Sequence, residues 1–199
     1  MAAYIAVSGS IACGKTTLCK TLAQTLQCHA FWEDADQNPF LSAFYHNYPS
    51  TREYAFLSQM WFLYYKHAQL EEIARLNELA LVERCLDENL LFAQLVLGEE
   101  EYKIYMDYYN LIASSMHQPV LIIYISVSLE EQIARIRKRA IPHEQRIEQA
   151  YLTKLNSLYE RWVSTCLEIP VLQFKDGESS FKQIEDRVRE EVEKHSQAT

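Results

Sequence analysis

Glycine and proline are scarce in this chain, four and five respectively among 199 residues, which excludes long flexible or polyproline linkers. Basic residues are outnumbered, 19 Lys and Arg against 27 Asp and Glu, for a formal charge of -8. Such a chain lacks the extended basic surface that non-specific nucleic-acid binding needs, so no nucleic-acid partner is expected. No apolar run approaches the length that spans a bilayer. The N-terminus enters an apolar run without a charged leader or cleavage site, so no membrane partner is expected either. The five cysteines (Cys13, Cys19, Cys28, Cys85, Cys166) are odd in number, and no two have zinc-ligand spacing. They read as free thiols in a reducing, cytoplasmic setting. There is no internal repeat and no low-complexity tract. About half the residues are apolar (49%) and 23% are charged. That is the composition of a soluble globular protein, long enough for one domain over 1–199.

Apolar patterning divides the chain into alternating strands and helices. Short apolar runs at Tyr4–Ser8, His29–Trp32, Leu79–Val82, Val120–Ile125 and Val171–Phe174 read as strands, apolar on both faces. Helical spacing covers Lys15–Gln27, Arg52–Asn77, Cys85–Met116 with a break near Gly98, Leu129–Ala140, Pro142 to about Leu167, and Phe181–Lys194. Asn38-Pro39 signals a turn in a polar stretch. The alternation predicts an α/β fold, a parallel sheet covered by helices on both faces. Ligands in such sheets bind beyond the carboxyl ends of the strands.

The segment Gly9-Ser10-Ile11-Ala12-Cys13-Gly14-Lys15-Thr16 fits the phosphate-loop pattern G-x-x-x-x-G-K-[ST], directly after a strand and before a helix. Its glycines permit backbone geometry that a side chain would block. Successive N–H groups, with Thr17 in the first helical turn, then face phosphate oxygens. Lys15 is suited to reach the β- and γ-phosphates of ATP, and Thr16 to offer its hydroxyl to Mg2+. Cys13 reads as a small filler.

Two strand ends carry carboxylates. Glu33 follows the second strand, where it is placed to accept a hydroxyl proton; a solvated acidic loop with Asp34 and Asp36 is the alternative. Glu83-Arg84 closes the third strand, where Glu83 could hold Mg2+ and Arg84 could stabilise phosphoryl charge. The alternative is a surface ion pair. Arg135, Arg137, Lys138 and Arg139 then form a basic helix. It suits a lid closing over ATP, or a solvated face paired with Glu130, Glu131 and Glu144.

Taken together, the chain resembles the deoxynucleoside kinase family over nearly its full length. Beyond the phosphate loop, the resemblance lies in Phe31-Trp32-Glu33 through Asn38-Pro39, in Gln59 on the helix containing Phe56 and Phe62, in Glu83-Arg84-Cys85, and in Arg135–Arg139 followed by Glu144-Gln145 and Tyr151-Leu152. It implies a P-loop NTPase three-layer sandwich with a parallel five-stranded sheet, a helical lid over about 129–146, and a homodimer. It implies an ATP- and Mg2+-dependent transfer to the 5′-hydroxyl of a deoxynucleoside, a small-molecule partner. Glu33 would be the general base and Arg84 would steady it. Gln59 would bind the nucleobase, Glu83 Mg2+, Arg135 and Arg139 the phosphates, and Tyr45 or Tyr48 with Glu144 the 3′-hydroxyl.

Three positions depart from the family pattern. Cys85 replaces a serine. Lys66 replaces an arginine that helps read the base; that arginine's acidic partner should fall near Asp87, Glu88 or Asn89, and Glu88 fits if one residue is deleted. Ile141 replaces a lid arginine, for which Arg137 or Arg146 could compensate. The aromatic residues Tyr54, Phe56, Trp61, Phe62, Tyr64 and Tyr65 read mainly as core or dimer interface. Two other activities compete. A nucleoside monophosphate kinase would need a further basic site for the acceptor's phosphate, and only Arg52 lies near Glu33 in sequence. A non-catalytic nucleotide-binding regulator would need a different second metal motif.

Overall fold

The computed structural model describes residues 3–166, 168–175 and 181–197. Among them are five strands, β1 (Tyr4–Ser8), β2 (His29–Phe31), β3 (Ala80–Glu83), β4 (Leu121–Ser126) and β5 (Val171–Lys175). The helices are α1 (Lys15–Leu26), α2 (Leu41–Asn47), α3 (Ala55–Ala74), α4 (Glu88–Val96), α5 (Glu99–Ser115), α6 (Leu129–Arg139), α7 (Gln149–Thr165) and α8 (Phe181–Gln197). The strands form one parallel sheet in the order β2-β3-β1-β4-β5. Chain order reverses at β1, so the carboxyl edge of β1 lies in the crevice where ligands bind such sheets.

Alternate strand residues feed two cores, the consequence of a two-residue side-chain period. Ile5, Val7, Leu81, Ile123 and Ile125 pack with Leu18 and Leu22 of α1 and Ile184 and Val188 of α8. Ala6, Val82, Ile122 and Tyr124 pack against α3, α4, α5 and α7. The result is the three-layer sandwich that the alternation implied. Full burial on both faces holds for the central strands. The edge strands β2 and β5 are half-exposed, because each has a neighbour on one side only.

Two expectations change. The polar stretch after Asn38 contains α2, and the helix expected from Pro142 begins at Gln149. Before it the chain reverses at Ala140 (φ 54°) and makes one 3-10 turn over Glu144–Arg146. That turn lets the Gln145 side chain donate to the Ile136 carbonyl at 2.7 Å, as a second donor beside the Ala140 N–H at 3.3 Å. Leu167, the expected end of α7, lies outside the described residues.

Candidate active site

The phosphate loop leaves β1 at Gly9 and enters α1 at Gly14, with φ of 150° and 103°. A β-carbon on Gly9 would collide with the Ile125 carbonyl oxygen of β4 and come within 2.7 Å of Cys13 Sγ. Close backbone approach therefore requires glycine here. Cys13 is buried under the loop, and that burial raises its pKa. All five cysteines are free. No side chain caps α1, which leaves its first N–H groups directed along the loop. The Lys15 ammonium donates to the carbonyls of Gly9 and Ser10, both at 2.8 Å.

Strand register sets the carboxylates beside this loop. Val7 pairs with Glu83, and the Thr16 hydroxyl donates to Glu83 Oε1 and Oε2 at 3.0 and 3.1 Å. Phe31 pairs with Val82, so Glu33 and Arg84, each two residues further on, come level. Arg84 Nη1 donates to Glu33 Oε1 at 2.5 Å, with side chains 10% and 6% exposed. The guanidinium lies 4.3 Å from the Phe92 ring centroid and 5.8 Å from that of Phe62, a low-dielectric setting that strengthens the pair. Burial opposes the Arg84 charge, but Glu33 holds the group protonated. Glu33 Oε2 and Arg84 Nε are buried without a hydrogen-bond partner among the described residues. Buried groups of this kind are uncommon outside functional sites.

The basic helix α6 is docked on the loop. Arg135 Nη1 donates to the Cys13 carbonyl at 3.2 Å and Nε pairs with Glu131. Arg139 pairs with Glu144 at 2.8 Å. A cleft of about 830 Å³ runs between loop and helix, lined by Lys15, Thr16, Glu83, Arg135, Arg139 and, from β5, Phe174. Tyr45 of α2 stacks on His143, with ring centroids 5.9 Å apart. Burial raises the Tyr45 pKa, and Glu144, Arg84 and Glu33 are all near enough to act on its hydroxyl. The corresponding charged neighbours of Tyr48 are Arg52 and Glu148. Both tyrosines meet the Tyr151 ring edge-on, and of the two Tyr45 is the one with Glu33 and Arg84 among its charged neighbours. Gln59, 3% exposed, lies one turn before Phe62 on α3. Asn38 fixes that turn by donating to the Ser58 carbonyl and hydroxyl at 3.1 Å.

Two residues assigned to base reading lie elsewhere. Glu88 is fully buried beneath the loop, accepting from Ser8 Oγ (2.6 Å), Gly9 N (3.3 Å), Cys85 N (2.8 Å) and Tyr159 OH (2.7 Å). Four donors make a buried carboxylate tolerable and leave it no lone pair for a base. Lys66 is also fully buried and turns toward the Glu83 carbonyl. The aromatic residues of α3 divide as follows: Phe62 faces Arg84, Trp61 stacks on Tyr65, and Tyr64 is exposed. Sequence reasoning missed Gln132 of α6, whose amide donates to Ser10 Oγ (2.9 Å) and the Ile11 carbonyl (2.6 Å) and accepts from Asn156. Its only sequence signal was that it is the one uncharged polar residue of this helix.

A phosphate loop facing two strand-end carboxylates and a docked basic helix is the equipment of a P-loop phosphotransferase. The family model described as "Deoxynucleoside kinase" matches residues 5–197, and the chain belongs to that family. It is 34% identical over 163 residues to the deoxyguanosine kinase of Bacillus subtilis (strain 168), covering 80% of this chain and 77% of that one. It is 28% identical to the deoxyadenosine kinase of Lactobacillus acidophilus, covering 96% and 98%. The fold matches the deoxyadenosine kinase of M. mycoides solved with the products dCMP and a flexible dCDP bound. There the TM-score is 0.82 at 24% identity, over 96% of this chain and 99% of that one. The chain is therefore an enzyme that phosphorylates deoxynucleosides, which sets aside the monophosphate-kinase and regulator readings. Among the described residues no helix is long and apolar enough to cross a membrane.

Proposed function

We propose that the phosphate donor is ATP with Mg2+, and that Glu33 is the general base on the 5′-hydroxyl. The observation that carries this reading is Glu33 itself. Arg84 occupies Oε1, and Oε2 is buried beside it without a partner, a basic atom held for an incoming proton donor. The hydroxyl proton passes to Oε2 as the O5′–P bond forms. The bond from the γ-phosphorus to the bridging oxygen breaks, and ADP leaves. Lys15, Arg135 and Arg139 meet the phosphate charge as it shifts, with the segment 129–146 acting as the lid. Gln59 meets the base edge with an amide that both donates and accepts. Tyr45 and Glu144 hold the 3′-hydroxyl.

The Thr16 hydroxyl beside the Glu83 carboxylate suits Mg2+, which keeps several waters and takes one or two protein oxygens. When bound, that ion neutralises phosphate charge. The relatives are named for deoxyguanosine and deoxyadenosine, one of them for deoxycytidine as well, so a purine deoxynucleoside is the expected acceptor. A homodimer would cover Leu57 and Tyr64 of α3 and Ile104 and Leu111 of α5, the large apolar residues exposed on these helices. Free thiols suit a cytoplasmic enzyme. The test is product formation from ATP, Mg2+ and each of the four deoxynucleosides, with ribonucleosides and monophosphates alongside. Monophosphate formed from a purine deoxynucleoside supports the reading. Product without Mg2+, or only from another donor, overturns the cofactor assignment.

A further inference from the structure

The sheet loses its backbone ladder just before the reacting centre. Among the described residues β2, three residues long, pairs only with β3, and that pairing ends at Phe31–Val82. Trp32–Glu33 and Glu83–Arg84 continue beyond it, and these two segments carry the general base and the charged residues opposite. Two buried side chains of α3 bridge the gap. Gln69 Nε2 donates to the Trp32 carbonyl at 2.8 Å. Its Oε1 accepts from Lys66 Nζ at 2.8 Å, and Lys66 Nζ also donates to the Glu83 carbonyl at 2.8 Å. The chain Trp32–Gln69–Lys66–Glu83 thus ties together the residues immediately before Glu33 and Arg84. One turn of α3 separates Lys66 from Gln69, so their relative position is set by a rigid element.

A buried ammonium is costly unless paired. Burial lowers the Lys66 pKa and Arg84 acts in the same sense, against the Glu33 and Glu88 carboxylates; the amine is directed to a main-chain carbonyl and an amide oxygen. A compact ammonium can point at one carbonyl in a closed space, where a planar guanidinium would need room for its fork. The geometry points to Lys66 and Gln69 as positioning residues: together they form a strut that sets the spacing between Glu33 and Glu83–Arg84, and Lys66 does not read the nucleobase. The inference rests on the roles proposed above for Glu33 and Glu83. A misplacement of about 1 Å between reacting groups is enough to cost about 10²-fold in rate.

The experiment compares Lys66→Met, Gln69→Met, the double variant and Glu33→Gln with the wild type. It records thermal melts, kcat, and KM for each accepted deoxynucleoside. The strut predicts that folded Lys66→Met and Gln69→Met lose about 10²-fold in kcat, by the same factor for every deoxynucleoside, with KM changed less than about threefold. The double variant falls no further than the worse single, because the two act as one unit. A change in the ranking of bases in Lys66→Met makes it a base reader and overturns the proposal. A lowered Tm with kcat unchanged below the transition makes the pair merely structural and also overturns it. If Lys66→Met does not fold, Gln69→Met decides alone, since it leaves the ammonium in place. Near-normal turnover in Glu33→Gln would remove the base assignment itself. A disabled Glu33→Gln beside a fully active Gln69→Met would remove only the strut.

Discussion

Replacing Glu33 by glutamine removes one basic atom and almost no volume. Oε1 still accepts from Arg84 Nη1, while an amide NH2 takes the place of Oε2, the oxygen left without a partner. General-base catalysis contributes about 10²- to 10⁴-fold, or about 3–5 kcal/mol of barrier at about 1.36 kcal/mol per decade. The fold pays less. Breaking a buried ion pair costs about 3–5 kcal/mol when the remaining charge is stranded. Here Arg84 keeps an oxygen acceptor and the rings of Phe62 and Phe92, so a loss below about 3 kcal/mol is expected. At about 2–4 °C per kcal/mol for a chain of this size, the melting temperature drops by less than about 12 °C. Under saturating ATP and deoxynucleoside at 25 °C, the monophosphate formed per enzyme per second should fall at least about 10²-fold, with little change in either KM. A folded variant within about threefold of wild-type kcat would refute the assignment, because the proton would then have to go to a group other than Glu33.

Gly9→Ala sets a β-carbon against the Ile125 carbonyl and Cys13 at positive φ, so it should abolish ATP binding and destabilise by about 1–3 kcal/mol; calorimetric titration with wild-type affinity would show that the loop can shift. Gln132→Leu cuts the links from α6 to Ser10 and Ile11 and should raise the KM for ATP about tenfold, a loss of about 1.4 kcal/mol; unchanged steady-state kinetics would make Gln132 a bystander. Burial raises the pKa of Cys13, Cys19 and Cys85 above the ordinary thiol value, so at pH 8 they stay protonated in the native state and ionise more readily once unfolded. Iodoacetamide followed by intact mass should then modify the half-buried Cys28 and Cys166 first and all five only in denaturant; rapid fivefold modification of the native protein would contradict this. Leu111→Glu, at a position 67% exposed, should convert a dimer to the 23.3 kDa monomer in analytical ultracentrifugation; an unchanged dimer would place the interface elsewhere.

The parts legible from sequence are those whose physics is local. The phosphate loop is one contiguous strand–turn–helix, with glycines at two of its three positions of positive φ, Ala12 being the third. Glu83-Arg84 sits where an apolar run stops, so its place at the sheet edge follows from the run itself. Helix boundaries fell within a few residues wherever the period was clear. They failed at Pro142–Glu148, where the Gln145 side chain turns back to the Ile136 carbonyl of α6, nine residues earlier.

Lys66 and Glu88 mark the limit. Family position alone made them a base-reading pair, because charge type and spacing are all that a linear comparison carries. Whether an ammonium faces a ligand or a carbonyl depends on what surrounds it, and Lys66 meets the end of β3, 17 residues on. Glu88 meets Ser8, Gly9 and Tyr159, 80, 79 and 71 residues away. The sequence by itself determined the class of chemistry, through a phosphate loop, two strand-end carboxylates and a basic helix in order. Only the tertiary structure decided which charged groups face the cleft and which support it, because a buried polar group takes whichever partners folding brings within reach.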